Sequence, residues 1–281
     1  MGNQRMQPTA LLQTVLICLA CCLAHGASAE KNQVYTFSSS GALHIETLKR
    51  EVLPIALYLQ QHQIQISVTA LDSIEQLVRQ SQSRPFDLML TSPAIAYNLI
   101  NRFDYRAILK TKVPVQYKII QNKKSTPDLG DQQKSDHTDA VIYTLKNDIH
   151  AEYIQSKMYK LSAFEKQDNI ENLLISVLRN HQSKAITSNR SLHLLPENLR
   201  AKIHMTDIKE TADLILLCHR NEQKDCDGIA SLILNFFAER KRNHVSGEYI
   251  DHFEFVPTSS NEIKPEAALI EFTKSIFSNI N

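Results

Sequence analysis

Thr91, Ser92 and Pro93 stand between a short apolar run, Phe86 to Leu90, and a helical pattern that carries Ile95, Leu99 and Ile100. The run has strand length, Ser92 is a good helix cap, and Pro93 suits the first helical position, where a missing N–H is no loss. A strand that feeds a tight turn and then a helix aims the unsatisfied N–H groups of the first helical turn at the mouth of the turn. With two hydroxyls beside them, those groups have the chemistry of an anion site. The same serine also fits the plainer role of a cap alone. Tyr105 to Leu109 reads as the next strand, so Arg84 to Leu109 is predicted as strand, helix, strand.

Other reactive residues do not assemble along the chain. The 11 histidines are scattered without ligand spacing, and neither His-Glu-x-x-His nor Gly-x-Ser-x-Gly occurs. Asp225 and Asp227 flank a helix start, where capping accounts for them. The expectation is a protein that binds without catalysing, and that holds no metal and no cofactor. Arg5 precedes an apolar run from Ala10 to Ala24, and Ala27-Ser28-Ala29 has the small-x-small pattern of a cleavage site. Residues 1–29 therefore read as a secretory signal peptide, cleaved near Ala29, and the chain is expected to be exported. The apolar run is shorter than the roughly 20 residues of a spanning helix. Cys22 has Leu19 three positions before it, but Cys21 stands where a lipoprotein box prefers a small residue. Cleavage leaves Cys218 and Cys226, an even number in an exported chain, expected as one disulfide.

The 281 residues are 43% hydrophobic and 22% charged, enough for one large domain or two small ones with a sizeable core. Without residues 1–29, which hold Arg5 and no acid, the basic residues match the 30 acidic ones, so broad attraction to nucleic acid or anionic membrane is not supported. Gln33 to Ser38 alternates as a strand and ends in Ser38-Ser39-Ser40-Gly41. Ile45, Leu48, Val52, Ile55 and Leu59 follow at helical spacing, with Pro54 either kinking the helix or starting a second one. Ile64, Ile66 and Val68 form a strand, and Asp72 with Glu75 a capping box. This alternation predicts a parallel sheet flanked by helices, with ligands at the carboxyl ends of its strands. After a strand at Val115 to Gln121, the polar stretch Asn122 to Thr138 reads as a surface excursion. A second alternation follows: strand Ala140 to Leu145, helix Ile149 to Tyr159, a short strand at Leu161 to Phe164, and a helix capped by Asp168. Strand Lys184 to Thr187 then ends in the capping turn Thr187-Ser188-Asn189. Strands at Ile203 to Thr206 and Leu214 to Cys218, a helix capped by Asp227 and a last helix opened by Pro265 complete the chain.

This order resembles the periplasmic solute-binding proteins of phosphate, phosphite and phosphonate uptake systems, the PhnD-like group. The resemblance rests on Pro54-Ile-Ala-Leu-Tyr-Leu, on Phe86-Asp87-Leu88 with Ser92-Pro93 and Tyr97, on Tyr117-Lys-Ile-Ile, on Thr126-Pro-Asp-Leu-Gly130, and on Asn169 to Asn189. It covers roughly residues 33 to 240. It implies an α/β fold of type 2 periplasmic-binding-protein kind, in two lobes, each a mostly parallel sheet flanked by helices. Lobe 1 is expected over 31–112, joined by the returning C-terminal segment 226–281, and lobe 2 over 113–225. The resemblance further implies a monomer that closes on a small anion by hinge motion and passes it to a membrane permease. The alternative partner is a membrane sensor protein. Carried over position by position, the ligand residues are Ser38, Ser39, Ser40, Thr91 and Ser92 in the first lobe, and Asn147, Thr187, Ser188 and Asn189 in the second. Tyr97 lines the cleft if its ring faces it; the other reading is a core or surface aromatic. The second lobe's first turn is Lys146-Asn147-Asp148-Ile149, with no glycine and an acid that would repel an anion.

Overall fold

A computed structural model describes residues 33–40, 45–69, 71, 73–125, 141–159, 162–221, 224–242 and 253–278. The expected signal peptide, Asp72 and most of the polar excursion lie outside the described residues. The first alternation is β1 (Gln33–Ser40), α1 (Ile45–Gln61), β2 (Ile64–Thr69), α2 (Ile74–Ser83), β3 (Leu88–Thr91), α3 (Pro93–Arg102) and β4 (Tyr105–Thr111). Pro54 sits inside α1, which continues through it. The cap of α2 is Ser73, whose hydroxyl accepts from the Gln76 amide.

The second alternation is β5 (Val115–Asn122), β6 (Val141–Leu145), α4 (Ile149–Met158), β7 (Ala163–Gln167), α5 (Ile170–Arg179), β8 (Lys184–Ser188), the short helices α6 (Asn189–His193) and α7 (Glu197–Arg200), and β9 (Ile203–Ala212). Asn169, one residue after the expected Asp168, caps α5 by accepting from the Asn172 amide, and Asp168 pairs with Lys146. The chain then gives β10 (Ile215–His219), α8 (Cys226–Arg242), β11 (Phe255–Pro257) and α9 (Ala267–Ser278). At α8 the capping carboxylate belongs to Asp225, which accepts from the Gly228 amide at 2.8 Å; Asp227 instead pairs with Arg106.

Two sheets result, ordered β11-β4-β10-β3-β1-β2 and β7-β6-β8-β5-β9. The parallel character lies in β1 with β3 and in β7, β6 and β8, whereas β10 and β5 run antiparallel to their neighbours. The register explains this. Ile215, the first residue of β10, lies opposite Thr91 and Lys110, near the carboxyl ends of β3 and β4, and Tyr117 near the start of β5 lies opposite Ser188 at the end of β8. Both crossing strands enter a sheet at the end where its parallel strands finish, so they must run back against them. β10, which falls within the expected 113–225 span, is hydrogen-bonded into the first sheet.

The core follows the sheets. Ile74, Leu77 and Val78 of α2, with Ile95 and Leu99 of α3, pack on one face of the first sheet, and Val52, Ile55 and Leu59 of α1 with Ile233, Phe236 and Phe237 of α8 on the other. Leu173, Leu174 and Val177 of α5 cover part of the second sheet. Asp87 latches β1 to the strand beside it: its carboxylate accepts from the Thr36 amide and hydroxyl at 2.7 and 2.8 Å, and its amide donates to the Thr36 hydroxyl at 2.9 Å. Cys218 of β10 and Cys226 at the start of α8 are disulfide-bonded and buried, with Cα atoms 5.9 Å apart.

Candidate functional site

The carboxyl ends of β1 and β3 carry the hydroxyls of the first sheet. Ser38 is buried and donates to the Thr69 carbonyl at 3.2 Å. Ser39 and Ser40 pair in register with Leu90 and Thr91, and their side chains lie outside the described residues. Thr91 is buried at the last position of β3. Ser92 then caps α3 through its backbone, taking the Ala96 amide at 2.9 Å, with Pro93 at the first helical position. Its side chain behaves differently from that of an ordinary cap. The Ser92 Oγ makes no capping bond and is buried without a hydrogen-bond partner, with the residue only 1% exposed. A buried hydroxyl left unpaired costs on the order of 1–3 kcal/mol, so this one is available to a group that can reach it.

The turn from β6 into α4 has the opposite character. Asn147 takes a left-handed φ of 65°, the conformation that asparagine tolerates better than most residues. Asp148 caps α4, its Oδ1 accepting from the Ala151 amide at 3.0 Å and from the Tyr117 hydroxyl at 2.9 Å. Burial pushes the Asp148 carboxyl up to about 7, against the pull of those two hydrogen bonds, and holds the Tyr117 hydroxyl well above its usual range. Ile149 is buried in the apolar cluster otherwise built from α2, α3, α9 and the first sheet. His150 stacks on Tyr117 with ring centroids 5.0 Å apart, and neither ring nitrogen has a partner. Burial lowers its imidazole to about 4, so the ring is neutral at pH 7.

On β8, Thr187 is buried with its hydroxyl unpartnered, as is Thr144 on β6. Ser188 caps α6, its Oγ accepting from the Ser191 amide and lying 3.0 Å from the Ser191 hydroxyl. Asn189 accepts from the Gln116 amide at 3.2 Å, and buried Arg190 donates to the Val113 carbonyl at 3.2 Å with its guanidinium over the Phe253 ring. The starts of α3 and α4 converge: Ala94, Tyr153 and Leu269 pack together, and Pro93, His150 and Tyr153 border one cavity of about 540 Å3.

No protein-family model matches this sequence, and no curated protein matches it. Solved structures do. The binding-protein component of an ABC phosphonate transporter from Pseudomonas aeruginosa is similar with a TM-score of 0.63 at 14% identity, over 89% of this chain and 89% of that one. PhnD1 from Prochlorococcus marinus, in complex with methylphosphonate, gives a TM-score of 0.64 at 11% identity, over 89% of this chain and 100% of that one. The fold is that of the type 2 periplasmic binding proteins. A double mutant of the BvgS VFT2 domain from Bordetella pertussis is also similar, with a TM-score of 0.51 at 13% identity over 79% of this chain and 93% of that one.

Within this type 2 periplasmic-binding fold the expected anion residues divide. Ser92 and Thr187 present unspent buried hydroxyls; Ser38, Ser188 and Asn189 are spent on their own surroundings. Tyr97 is a surface aromatic, 37% exposed on α3. Thr144, Tyr117 and His150 are absent from the expected set. Thr144 occupies in β6 the next-to-last place that Thr187 occupies in β8, a parallel the sequence does offer. Nothing local marks His150, whose environment is made by Tyr117, 33 residues earlier in the chain.

Proposed function

We propose that this protein captures a small anionic solute, a phosphate- or phosphonate-like oxyanion, in the periplasm for an ABC uptake system, and that it catalyses nothing. The Ser92 hydroxyl carries this reading: it sits unpartnered and buried at the amino end of a ten-residue helix, where helix dipole and first-turn N–H groups favour an anion. The hydroxyls of Thr144 and Thr187 supply the second sheet's share. The two lobes are the halves grouped on the two sheets, hinged where the chain crosses at 112–114 and 213–214. Asp148 does not oppose the ligand below about pH 7, because its buried carboxyl is then protonated.

The test is a thermal-unfolding screen against phosphate, phosphite, methylphosphonate, sulfate and amino acids. A ligand at 100 times its Kd adds ~2.7 kcal/mol, a rise of roughly 5–10 °C for a chain of this size. No shift with any phosphorus oxyanion overturns the reading. A second reading, in which the protein presents its state to a membrane sensor, is favoured by Ile149, which ties the two halves through an apolar contact that needs no solute. Binding of the solute-free protein to a sensor's periplasmic domain, without any oxyanion response, would favour it.

A further inference from the structure

Val52 to Leu71 holds no Asp, Glu, Lys or Arg, in a chain that is 22% charged; at that share about four of these 20 residues would carry a charge. The stretch folds as the later part of α1 and the whole of β2, so the gap in charge falls on one place in the molecule. β2 is an edge of the first sheet. An edge strand turns every second N–H and C=O outward, and proteins guard those groups with charge, proline or a bulge. The other three edges are guarded: β11 by Pro257, β7 by Glu165 and Lys166, and β9 by Asp207, Lys209 and Glu210. β2 reads Ile-Gln-Ile-Ser-Val-Thr, and among the described residues no strand lies beyond it.

α1 adds apolar surface above this bare edge. It packs on β2, with Ile64 and Ile66 against the cluster that holds Val52, Ile55 and Leu59, whereas α8 packs on β4 and β11 toward the far edge. Tyr58 marks the side of α1 that faces α8, its ring 5.4 Å from that of Phe236 and its hydroxyl donating to Glu239 at 3.1 Å. At 3.6 residues per turn, Leu53 and Leu57 come out on the other side of the buried stripe, away from α8 and over the β2 edge. They are 58% and 53% exposed, and Val68 below them is 38% exposed.

We propose that β2 and the Leu53–Leu57 flank of α1 join two copies of this chain about a two-fold axis, with the two β2 strands antiparallel. The strand is self-complementary in one register: Ile66 opposite itself, Ile64 opposite Val68, and Gln65 opposite Ser67. Since side chains alternate, that register sets the isoleucines and valines of both copies on the α1 side and the glutamines and serines on the other. A slip of one residue would throw the two α1 helices to opposite sides of the sheet. In register they lie side by side, Leu53 and Leu57 of each against those of the other, and the two six-stranded sheets become one. In an isologous contact each residue meets its own surface, so a patch without charge avoids like-charge repulsion. The paired strands and four leucines bury on the order of 1,000 Å2, the lower bound of a specific interface and fitting for a reversible dimer. The monomer implied by the resemblance is then one half of this pair. The oxyanion reading is not needed for this inference.

Sedimentation velocity of the purified protein at concentrations around 1–100 µM tests it, and a reversible monomer–dimer equilibrium is expected. Gln65→Lys with Ser67→Lys sets lysine opposite lysine twice and is expected to weaken the dimer roughly tenfold or more. Gln65→Glu with Ser67→Lys sets opposite charges in the same two places and is expected to keep it. Leu53→Gln with Leu57→Gln is expected to weaken it as well. All four positions are exposed, and an unchanged far-ultraviolet circular dichroism spectrum shows that each variant has folded. A single monomeric species over the whole range, a dimer indifferent to the paired lysines, or equal loss of the dimer with paired lysines and with opposite charges overturns the proposal.

Discussion

Asp148 and His150 stand two residues apart at the start of α4, and burial moves their protonation in opposite directions. The Asp148 carboxyl, raised from 3.8 to about 7, holds its proton more tightly folded than unfolded. Its contribution to stability is full below about pH 4 and is lost as the pH rises through 7. The His150 imidazole, lowered from 6.5 to about 4, contributes fully above pH 6.5 and loses that contribution as the pH falls through 4. Between those limits both groups are neutral and the two slopes oppose each other, each worth up to about 3–4 kcal/mol. Asp148→Asn, which keeps the cap, is expected to show stability climbing from pH 4 to 6.5, and His150→Phe stability falling from pH 4 to 7. Urea unfolding at pH 4, 5.5 and 7 reads both; curves parallel to the wild type's would refute the pairing. The acid in this turn is legible in the sequence as a repulsive charge, but its neutral state is set by β5 and the rest of the core. Ser92 is likewise legible as a cap, whereas its unpartnered hydroxyl is a tertiary fact. Since the Ser188 hydroxyl is already engaged by Ser191, Ser92→Ala is expected to weaken oxyanion binding at least tenfold and Ser188→Ala far less, by titration with methylphosphonate.

Among the elements, those with a buried face are legible and those without are not. β3 and α3 announce themselves through an apolar run, a serine cap and a proline at the first helical position. β9 extends to Ala212, beyond the Ile203 to Thr206 seen in the pattern, because it is the edge of its sheet and most of its side chains face solvent. The cap of α8 shows the limit of spacing arguments, since Asp225 and Asp227 are equally placed in sequence. The close approach of Asp225 to Gly228 decides: a Cβ on Gly228 would fall 2.1 Å from the Asp225 carboxylate. Cys218 and Cys226 close a loop with a sequence separation of 8, so replacing both by serine is expected to cost about 2–3 kcal/mol. Equal melting temperatures for the wild type and the double variant would count against a structural role. Asp87→Ala removes the acceptor for the Thr36 amide and hydroxyl and is expected to cost about 2 kcal/mol in urea unfolding.

At the scale of the molecule, alternation of strand and helix gives two halves but not the paths between them. β10 reads as an apolar strand without saying which sheet takes it; that is settled by the direct crossing at 213–214, which delivers it to the carboxyl ends of β3 and β4. Among the described residues no helix is long and apolar enough to cross a membrane. The halves meet through side chains that local pattern cannot pair, above all Ile149 of α4 lodged among Ile95, Ile215 and their neighbours. Withdrawing a buried isoleucine into water costs ~2 kcal/mol, so under the proposed hinge motion this contact alone makes an open arrangement about thirtyfold rarer. Under that hinge motion the contact acts as a kinetic brake. Solute enters at a rate scaled down by the open fraction, and at high concentration the observed rate levels off at the rate of opening itself. In stopped-flow, Ile149→Ser should lift that plateau, making one aliphatic side chain the clock of capture and release.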